Sequence, residues 1–171
     1  MIISSRRAVL YSAVVIATIA LDLWTKQLAI ALIKRPTEHF GGILTLLLTE
    51  NTGAFLGLGA NLSPTLRTLL FTVAVGAVLI GVAFALVTNR FDRPSDSIAA
   101  SFILGGGIAN LYERIVNQGG VTDFLYLEAG PLHTGVFNVA DIAITFGVIW
   151  LFISALLPQK KAPEKNAAAA E

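Results

Sequence analysis

Long uncharged apolar stretches limit what this chain can fold into. The clearest one runs from Thr68 to Thr88, 21 residues without a charged side chain. About 20 apolar residues are enough for a helix to cross the hydrocarbon core of a bilayer. Only 13% of the residues are charged, 55% are hydrophobic and the mean hydropathy is +0.74. Soluble domains carry about 25% charged residues, so this composition indicates an integral membrane protein.

The apolar stretches predict a polytopic α-helical membrane protein with four transmembrane helices and a small extracytoplasmic β-rich element. Residues 1–157 would form a single domain, and the polar, alanine-rich residues 158–171 a disordered cytoplasmic tail. The first outer segment contains prolines, glycines and a β-like run from Ile43 to Thr49, which predicts short strands at the interface. The predicted spans are about 8–33, 68–88, 97–115 and 136–157, and the predicted outer segments are 34–65 and 116–135.

The first apolar stretch has a second possible interpretation. Arg6 and Arg7 precede an uncharged run from Ala8 to Leu21, which is also typical of a cleaved signal peptide. In that case Asp22 and Lys26 would lie between the apolar core and the cleavage site. Because those charges are out of place in a signal peptide and more hydrophobic segments follow, a first transmembrane helix explains the pattern better.

The distribution of basic residues predicts the orientation. Four spans place both termini on the same side, and seven of the 12 Lys and Arg residues lie at the termini or in the loop Asn89 to Asp96. Loops rich in Lys and Arg remain in the cytoplasm. The termini are therefore expected inside and the two long segments outside.

This orientation brings the polar residues of the apolar segments to one depth. Asp22 lies 14 residues after Ala8, a rise of about 21 Å, so it falls in the outer part of the core. The third helix ends at this level and the fourth begins there. A chance scatter of polar residues would not converge in this way. The residues expected there are Asp22, Lys26, Asn51, Asn110, Glu113, Arg114, Asp123, Asn138 and Asp141.

Two aspartates in this group suggest acid–base chemistry. Neither Asp123 nor Asp141 has a Lys or Arg within three residues. An ionised carboxylate next to an apolar helix is costly unless it is paired, solvated or protonated. Two such groups suggest a pair that shares one proton, as in aspartic proteases. The alternative is that Asp141 only starts a helix and Asp123 only forms a turn.

Helical spacing suggests supporting roles for other residues. Asp22 and Lys26 are four residues apart and can form an ion pair, whose role could also be purely structural. Asn138 precedes Asp141 by three residues, so its amide can reach the carboxylate and hold its orientation. A row of small residues predicts close helix contact: Ser101, Gly105 and Ala109.

Other classes of chemistry find little support in the sequence. The chain has no cysteine, which excludes a disulfide framework, a thiol nucleophile and a thiolate metal site. His39 and His133 are lone loop histidines, and no His/Asp/Glu cluster has metal-ligand spacing. A net charge of +1 gives no argument for nucleic-acid binding. No metal or cofactor is expected.

Five short motifs follow one another along this chain with four predicted spans: DLWTK at 22–26, NTGAF at 51–55, GGGIANLYER at 105–114, VTDF at 121–124 and FNVAD at 137–141. Together and in this order, they resemble the lipoprotein signal peptidase (signal peptidase II) family. The third motif departs from the usual family pattern at Ala109, where glycine is common, and at Glu113, where aspartate is common. Ala109 is still small and Glu113 keeps the charge.

The resemblance implies an intramembrane aspartyl endopeptidase that removes signal peptides from prolipoproteins, cleaving before the diacylglyceryl-modified cysteine. Asp123 and Asp141 would be the catalytic dyad, while Asp22 and Lys26 would shape the outer end of the site. The residues expected to bind substrate or support the dyad are Asn51, Gly53, Asn110, Arg114 and Asn138. Arg114 could instead only anchor its helix at the headgroups.

The resemblance also implies a location and partners. The protein is expected in the bacterial cytoplasmic (inner) membrane, as a multi-pass monomer with its active site on the outer face. Lipidated prolipoproteins and membrane lipids would be its partners, and globomycin its inhibitor. The alternative from another class is a non-catalytic four-span membrane protein whose outer polar cluster binds a lipopeptide or an ion.

Overall fold

The computed structural model describes residues 3–52 and 62–158. Gly53 therefore lies outside the described residues, as does the predicted tail beyond Pro158. Four α-helices dominate the described part of the chain. They are α1 (Ser5–Leu32), α2 (Pro64–Val87), α3 (Pro94–Val116) and α4 (Val139–Leu156).

The helix starts follow local sequence signals. α2 begins four residues before the predicted span, because the Ser63 hydroxyl accepts a hydrogen bond from the Leu66 N–H and Pro64 occupies the first turn. Pro94 occupies the first turn of α3 in the same way. α4 begins with a capping box, in which Asn138 and Asp141 each accept a hydrogen bond from the other's backbone N–H.

α3 is the central helix of the bundle, and α1, α2 and α4 all pack against it. Small residues permit this close contact, as the row of small residues predicted. A Cβ atom added at Gly105 would lie 2.8 Å from Thr18 Cβ of α1, and one added at Gly106 would lie 2.6 Å from the Ala140 carbonyl oxygen of α4. Since both distances are too short for real Cβ contacts, these two positions require glycine.

The outer surfaces of the bundle are apolar. Large hydrophobic side chains such as Val9, Ile80 and Phe152 are exposed along α1, α2 and α4. Such extended exposed apolar surface is typical of a protein that contacts a membrane. Within the described residues, three helical stretches are long and apolar enough to cross one: Ser5–Leu32, Leu69–Val87 and Val139–Leu156.

α3 is not one of these three stretches, so the structure supports a membrane protein with several apolar helices but does not establish the predicted count of four spans. α3 has Asp96 in its first turn and Arg114 in its last turn, and its buried face consists mainly of alanine, serine and glycine. Because its neighbours surround it, α3 needs small residues for packing more than large apolar ones for lipid contact.

A four-stranded antiparallel sheet joins the helices at one end, which confirms the predicted β-rich element. Its strand order is β1-β2-β3-β4, and the turn between β1 and β2 contains a short 3₁₀ helix at Phe40–Gly42. The strands are β1 (Thr37–His39), β2 (Leu44–Asn51), β3 (Val121–Ala129) and β4 (Leu132–His133).

The long strand β3 was not predicted. The sequence indicated only an outer segment there, and one interpretation made Asp123 a turn residue. In the structure Asp123 lies within β3, directly opposite Thr49 of β2. β3 also contacts α1 and α3. Pairing with β2 therefore fixes the backbone of Asp123 in an extended conformation close to the helix ends.

Candidate active site

The polar residues predicted to share one depth do meet in the structure. They come from the C-terminal halves of α1 and α3, the end of β2, the start of β3 and the start of α4. Hydrogen bonds or ion pairs connect them into one network. Its described members are Asp22, Lys26, Asn51, Asn110, Glu113, Asp123, Asn138 and Asp141.

Asn138 links the two aspartates. Its side chain is fully buried, and its Nδ2 donates to Asp123 Oδ1 at 2.6 Å. On the other side, its Oδ1 accepts from the Asp141 backbone N–H at 2.9 Å, while its own backbone N–H donates to Asp141 Oδ2 at 3.2 Å. The prediction that the Asn138 amide reaches the Asp141 carboxylate is therefore wrong. The capping box uses the Asn138 backbone for that carboxylate and leaves the side-chain amide for Asp123.

Asp123 is almost completely buried, and amide groups hold both of its carboxylate oxygens. Asn51 Nδ2 donates to Oδ2 at 2.9 Å, opposite the bond that Asn138 makes to Oδ1. The pKa of Asp123 is raised to about 6, mainly by burial. The Asp141 carboxylate adds to this rise, while the hydrogen bonds from Asn51 and Asn138 and the charge of Lys26 oppose it. A carboxyl with this pKa can hold a proton close to neutral pH.

Asn110 holds the second oxygen of Asp141. Its Nδ2 donates to Asp141 Oδ1 at 2.9 Å, and its Oδ1 accepts from Lys26 Nζ at 2.9 Å. A lysine ammonium can only donate hydrogen bonds, so Lys26 determines which end of the Asn110 amide faces Asp141. Asn138 Nδ2 also donates to Asn110 Oδ1, at 3.2 Å. Lys26 thus influences Asp141 through the asparagine between them.

Lys26 is the centre of a buried charge cluster. The predicted pair with Asp22 is confirmed, with Nζ 2.7 Å from Asp22 Oδ2. Nζ also lies 2.6 Å from Glu113 Oε2. The second oxygen of Asp22 accepts from the Ala140 backbone N–H at 2.8 Å, directly before Asp141 in the chain. A buried charge is costly unless it is paired and hydrogen-bonded, and each member of this cluster has such partners.

Sequence reasoning placed Glu113 at this depth but did not include it among the predicted site residues. Glu113 is 7% exposed, and it follows Asn110 by three residues on α3. The signal was available in the sequence, because an acidic side chain near the apolar end of α3 needs a cation, and Lys26 was expected at the same level.

Arg114 and Gly53 complete the predicted set. Arg114 is half-buried in the last turn of α3, where Nη1 donates to the Gly119 carbonyl oxygen at 3.2 Å. Arg114 therefore bonds the loop that leads from α3 into β3. Gly53 follows Thr52, the last described residue after β2, so the structure gives no position for it.

Metal binding has no geometric support in the part of the chain that the structure describes. No three His, Asp or Glu side chains are grouped there in a way that could hold a metal ion. The arrangement instead offers two carboxyl groups, each restrained by amide donors, beside an ion-paired lysine. Such a pair can remove a proton from water and deliver another to a carbonyl oxygen.

The fold is one that bacterial membrane enzymes share. Two solved structures, both described as a bacterial membrane enzyme determined by the in meso method, resemble it. The first has a TM-score of 0.75 at 22% identity and covers 94% of each chain. The second has a TM-score of 0.74 at 21% identity and covers 85% of this chain and 92% of the other.

The family model described as signal peptidase (SPase) II matches residues 14–157. The lipoprotein signal peptidase of Borrelia turicatae is 34% identical over 149 residues, covering 82% of this chain and 85% of the relative. That of Brevibacillus brevis is 33% identical over 153 residues, covering 88% and 97%. The chain therefore belongs to the signal peptidase II family, a family of membrane peptidases.

Proposed function

We propose that this protein is an intramembrane aspartyl endopeptidase that removes signal peptides from prolipoproteins, cleaving before the diacylglyceryl-modified cysteine. The names of its relatives support the substrate class. The observation that carries the mechanism is the bridge at Asn138, which joins Asp123 and Asp141 through one buried side chain.

In the proposed reaction, Asp141 is ionised and takes a proton from the attacking water, while Asp123 is protonated and gives its proton to the scissile carbonyl oxygen. The raised pKa of Asp123 allows this carboxyl to hold the proton that it donates. The water oxygen bonds to the carbonyl carbon and forms a tetrahedral intermediate. When the intermediate collapses, the C–N bond breaks and the proton held by Asp141 passes to the leaving amine. One hydroxyl of the intermediate returns its proton to Asp123 as the carbonyl re-forms, so both aspartates regain their starting states. No metal or cofactor takes part.

The remaining residues of the network position these groups. Asn51 and Asn138 hold Asp123, while Asn110 holds Asp141, with Lys26 and Asp22 at the outer end of the site. Gly53 and Arg114 bind substrate: glycine permits close backbone approach, and the arginine fork can bond several carbonyls. The fork also holds the loop at Gly119.

The proposed topology has four spans, α1 to α4, within a single domain of residues 1–157. Both termini and the tail 158–171 lie in the cytoplasm, and the sheet lies on the outer face of the bacterial inner membrane. α3 crosses as the central helix, shielded from lipid by its three neighbours. The lipid and signal helix of the substrate enter laterally from the membrane, and the enzyme acts as a monomer.

The test is a gel-shift cleavage assay with purified protein. A lipidated prolipoprotein should shift to the mature size, whereas the same protein without the lipid on its cysteine should not. Globomycin should block the shift. Binding of the lipidated substrate without any cleavage would instead support the non-catalytic lipopeptide-binding alternative.

A further inference from the structure

Glu113 makes contacts that the proposed reaction leaves unexplained. Both of its carboxylate oxygens bond Thr122, the residue directly before Asp123. Oε2 accepts from the Thr122 backbone N–H at 3.1 Å, and Oε1 accepts from the Thr122 hydroxyl at 2.9 Å. Oε2 is also the oxygen that pairs with Lys26 Nζ. One buried carboxylate of α3 therefore restrains the strand that carries Asp123.

Among the residues that the structure describes, the backbone around Thr122 has a strand neighbour on one side only. Thr122 pairs with Glu50 of β2, whereas β4 pairs with β3 farther along, at Glu128 and Ala129. The Thr122 N–H bonds to Glu113, and Asn138 Nδ2 approaches the Thr122 carbonyl oxygen at 3.4 Å. Helix side chains thus take the place of a neighbouring strand beside Asp123.

The same charge cluster also bonds the backbone next to the other aspartate, Asp141. Asp22, which shares Lys26 with Glu113, accepts from the backbone N–H of Ala140, the residue directly before Asp141. The peptide N–H that precedes each aspartate is therefore held by a carboxylate, and Lys26 joins the two carboxylates. We define Asp22, Lys26 and Glu113 as the ion bracket.

We propose that the ion bracket sets the separation of the two aspartates, with Glu113 as the positioning residue for Asp123. This inference rests on the proposed function, because it assigns Asp123 and Asp141 to one reaction. Glu113 does not touch the reacting atoms; it acts through Thr122. Charge-assisted hydrogen bonds are shorter and stronger than neutral ones, so an ionised Glu113 restrains Thr122 more firmly than an amide would.

The experiment compares Glu113→Gln and Glu113→Asp with the wild type in the cleavage assay. Glu113→Gln loses the charge that Lys26 and Thr122 share, and kcat should fall on the order of tenfold because catalytic geometry is sensitive to displacements of about 1 Å. KM should stay within about twofold, since the substrate contacts are unchanged. Glu113→Asp keeps a carboxylate for Lys26 and Thr122 and should restore most of the lost kcat.

Two further variants separate positioning from folding. Thr122→Val removes the hydroxyl bond but leaves the Lys26–Glu113 pair, so it should lower kcat without a large change in melting temperature. It decides the question if Glu113→Gln does not fold. Glu128→Gln is the matched control, because Glu128 lies exposed on the same strand and accepts from the Tyr126 hydroxyl instead. It should cleave like the wild type.

The outcomes distinguish this inference from the proposed function. If the wild type does not cleave, the proposed function is wrong. If the wild type cleaves while Glu113→Gln and Thr122→Val keep full kcat, only the positioning role is wrong. A kcat loss in Glu113→Gln that Glu113→Asp does not restore, or that Glu128→Gln matches, also contradicts it.

Discussion

Amide side chains carry much of the organisation at this site. Asn51, Asn110 and Asn138 each place a side-chain N–H on an aspartate oxygen, at 2.9, 2.9 and 2.6 Å. An amide donor restrains a carboxylate without adding a positive charge, so the carboxyl can still bind or release its proton near neutral pH. A lysine or arginine in the same place would favour the ionised form of both groups. In this chain Asn110 lies between Lys26 and Asp141, because Lys26 donates to the Asn110 oxygen and the Asn110 NH₂ group donates to Asp141.

We expect Asp123→Asn and Asp141→Asn each to reduce cleavage on the order of 10²-fold or more, because each removes one member of the acid–base pair. The measurement is the rate of conversion of a lipidated prolipoprotein by purified protein. Folding is checked by the melting temperature in detergent, since each carboxylate oxygen faces an amide donor that the new NH₂ group can oppose.

The matched control for these variants is Asp96→Asn. Asp96 lies in the first turn of α3, at the opposite end of that helix from Glu113, and accepts a hydrogen bond from Trp150 Nε1. The same chemical change there should leave cleavage unaltered. A folded Asp123→Asn or Asp141→Asn protein that cleaves at the wild-type rate would show that the dyad assignment is wrong.

The pH dependence of cleavage tests which aspartate holds the proton. The pKa of Asp123 is raised to about 6, so its carboxyl is protonated below that pH and loses the proton as the pH rises through it. Because the proposed role of Asp123 requires the proton, kcat/KM should fall as the pH rises through about 6. The profile of kcat/KM reports groups of the free enzyme, and its apparent pKa belongs to the pair. A rise over the same range would assign Asp123 the role of base.

Among the secondary-structure elements, α3 determines how closely the others can approach. Gly105 lies against α1, Gly106 against α4 and Gly107 against Leu79 of α2. Three consecutive glycines thus serve three different neighbours, because successive residues of a helix point about 100° apart. The contact at Gly106 involves Ala140, so helix packing also fixes the start of α4, where Asp141 lies.

We expect Gly106→Ala to destabilise the protein by roughly 1–3 kcal/mol, the usual effect of overpacking a tight contact. A Cβ atom there would lie 2.6 Å from the Ala140 carbonyl oxygen. Cleavage should also slow, because relief of this clash moves Ala140 and hence Asp141. Thermal unfolding in detergent and the cleavage rate measure the two effects.

Gly76→Ala in α2 is the control for this substitution. A Cβ atom at Gly76 meets nothing within 4 Å, so alanine should be neutral or stabilise the helix by up to about 1 kcal/mol. If both alanine variants unfold at the same temperature, the close contact between α3 and α4 does not limit stability.

At the scale of the whole molecule, this protein reverses the usual arrangement of a soluble protein: charged side chains lie inside and large apolar side chains lie on the surface. Asp22, Lys26 and Asp123 are among the largest fully buried side chains, whereas Val9 and Ile80 are largely exposed. In a bilayer this arrangement is favourable, because lipid contacts the outer apolar side chains and the paired charges are sheltered inside the bundle.

Reporter fusions after Asn61 and after Arg93 should report opposite sides of the membrane. The reason is that α2 separates them, and the positive-inside rule places the loop with Arg93 in the cytoplasm. A fusion after Pro158 should agree with the one after Arg93. If the fusion after Asn61 reads as cytoplasmic, the proposed outer location of the site is wrong.

The sequence by itself determined the elements whose causes are local. The helices were predictable to within a few residues because apolar length, prolines and capping residues act over short distances. The Asp22–Lys26 pair was predictable for the same reason, since four residues of helix bring the two side chains together. That these polar residues would meet was predictable from span length and charge distribution.

Only the tertiary structure decided which of these residues bond to each other. β3 is defined by its pairing with β2, a strand from a distant part of the chain. The Asn138 amide turned to Asp123 rather than to Asp141, and Glu113 joined Lys26 and Thr122. The physical reason is that each of these groups has several possible partners close to it in the folded chain. Close packing of the helices through the α3 glycines selects which partners bond. This packing cannot be read from the spacing of residues along a single helix.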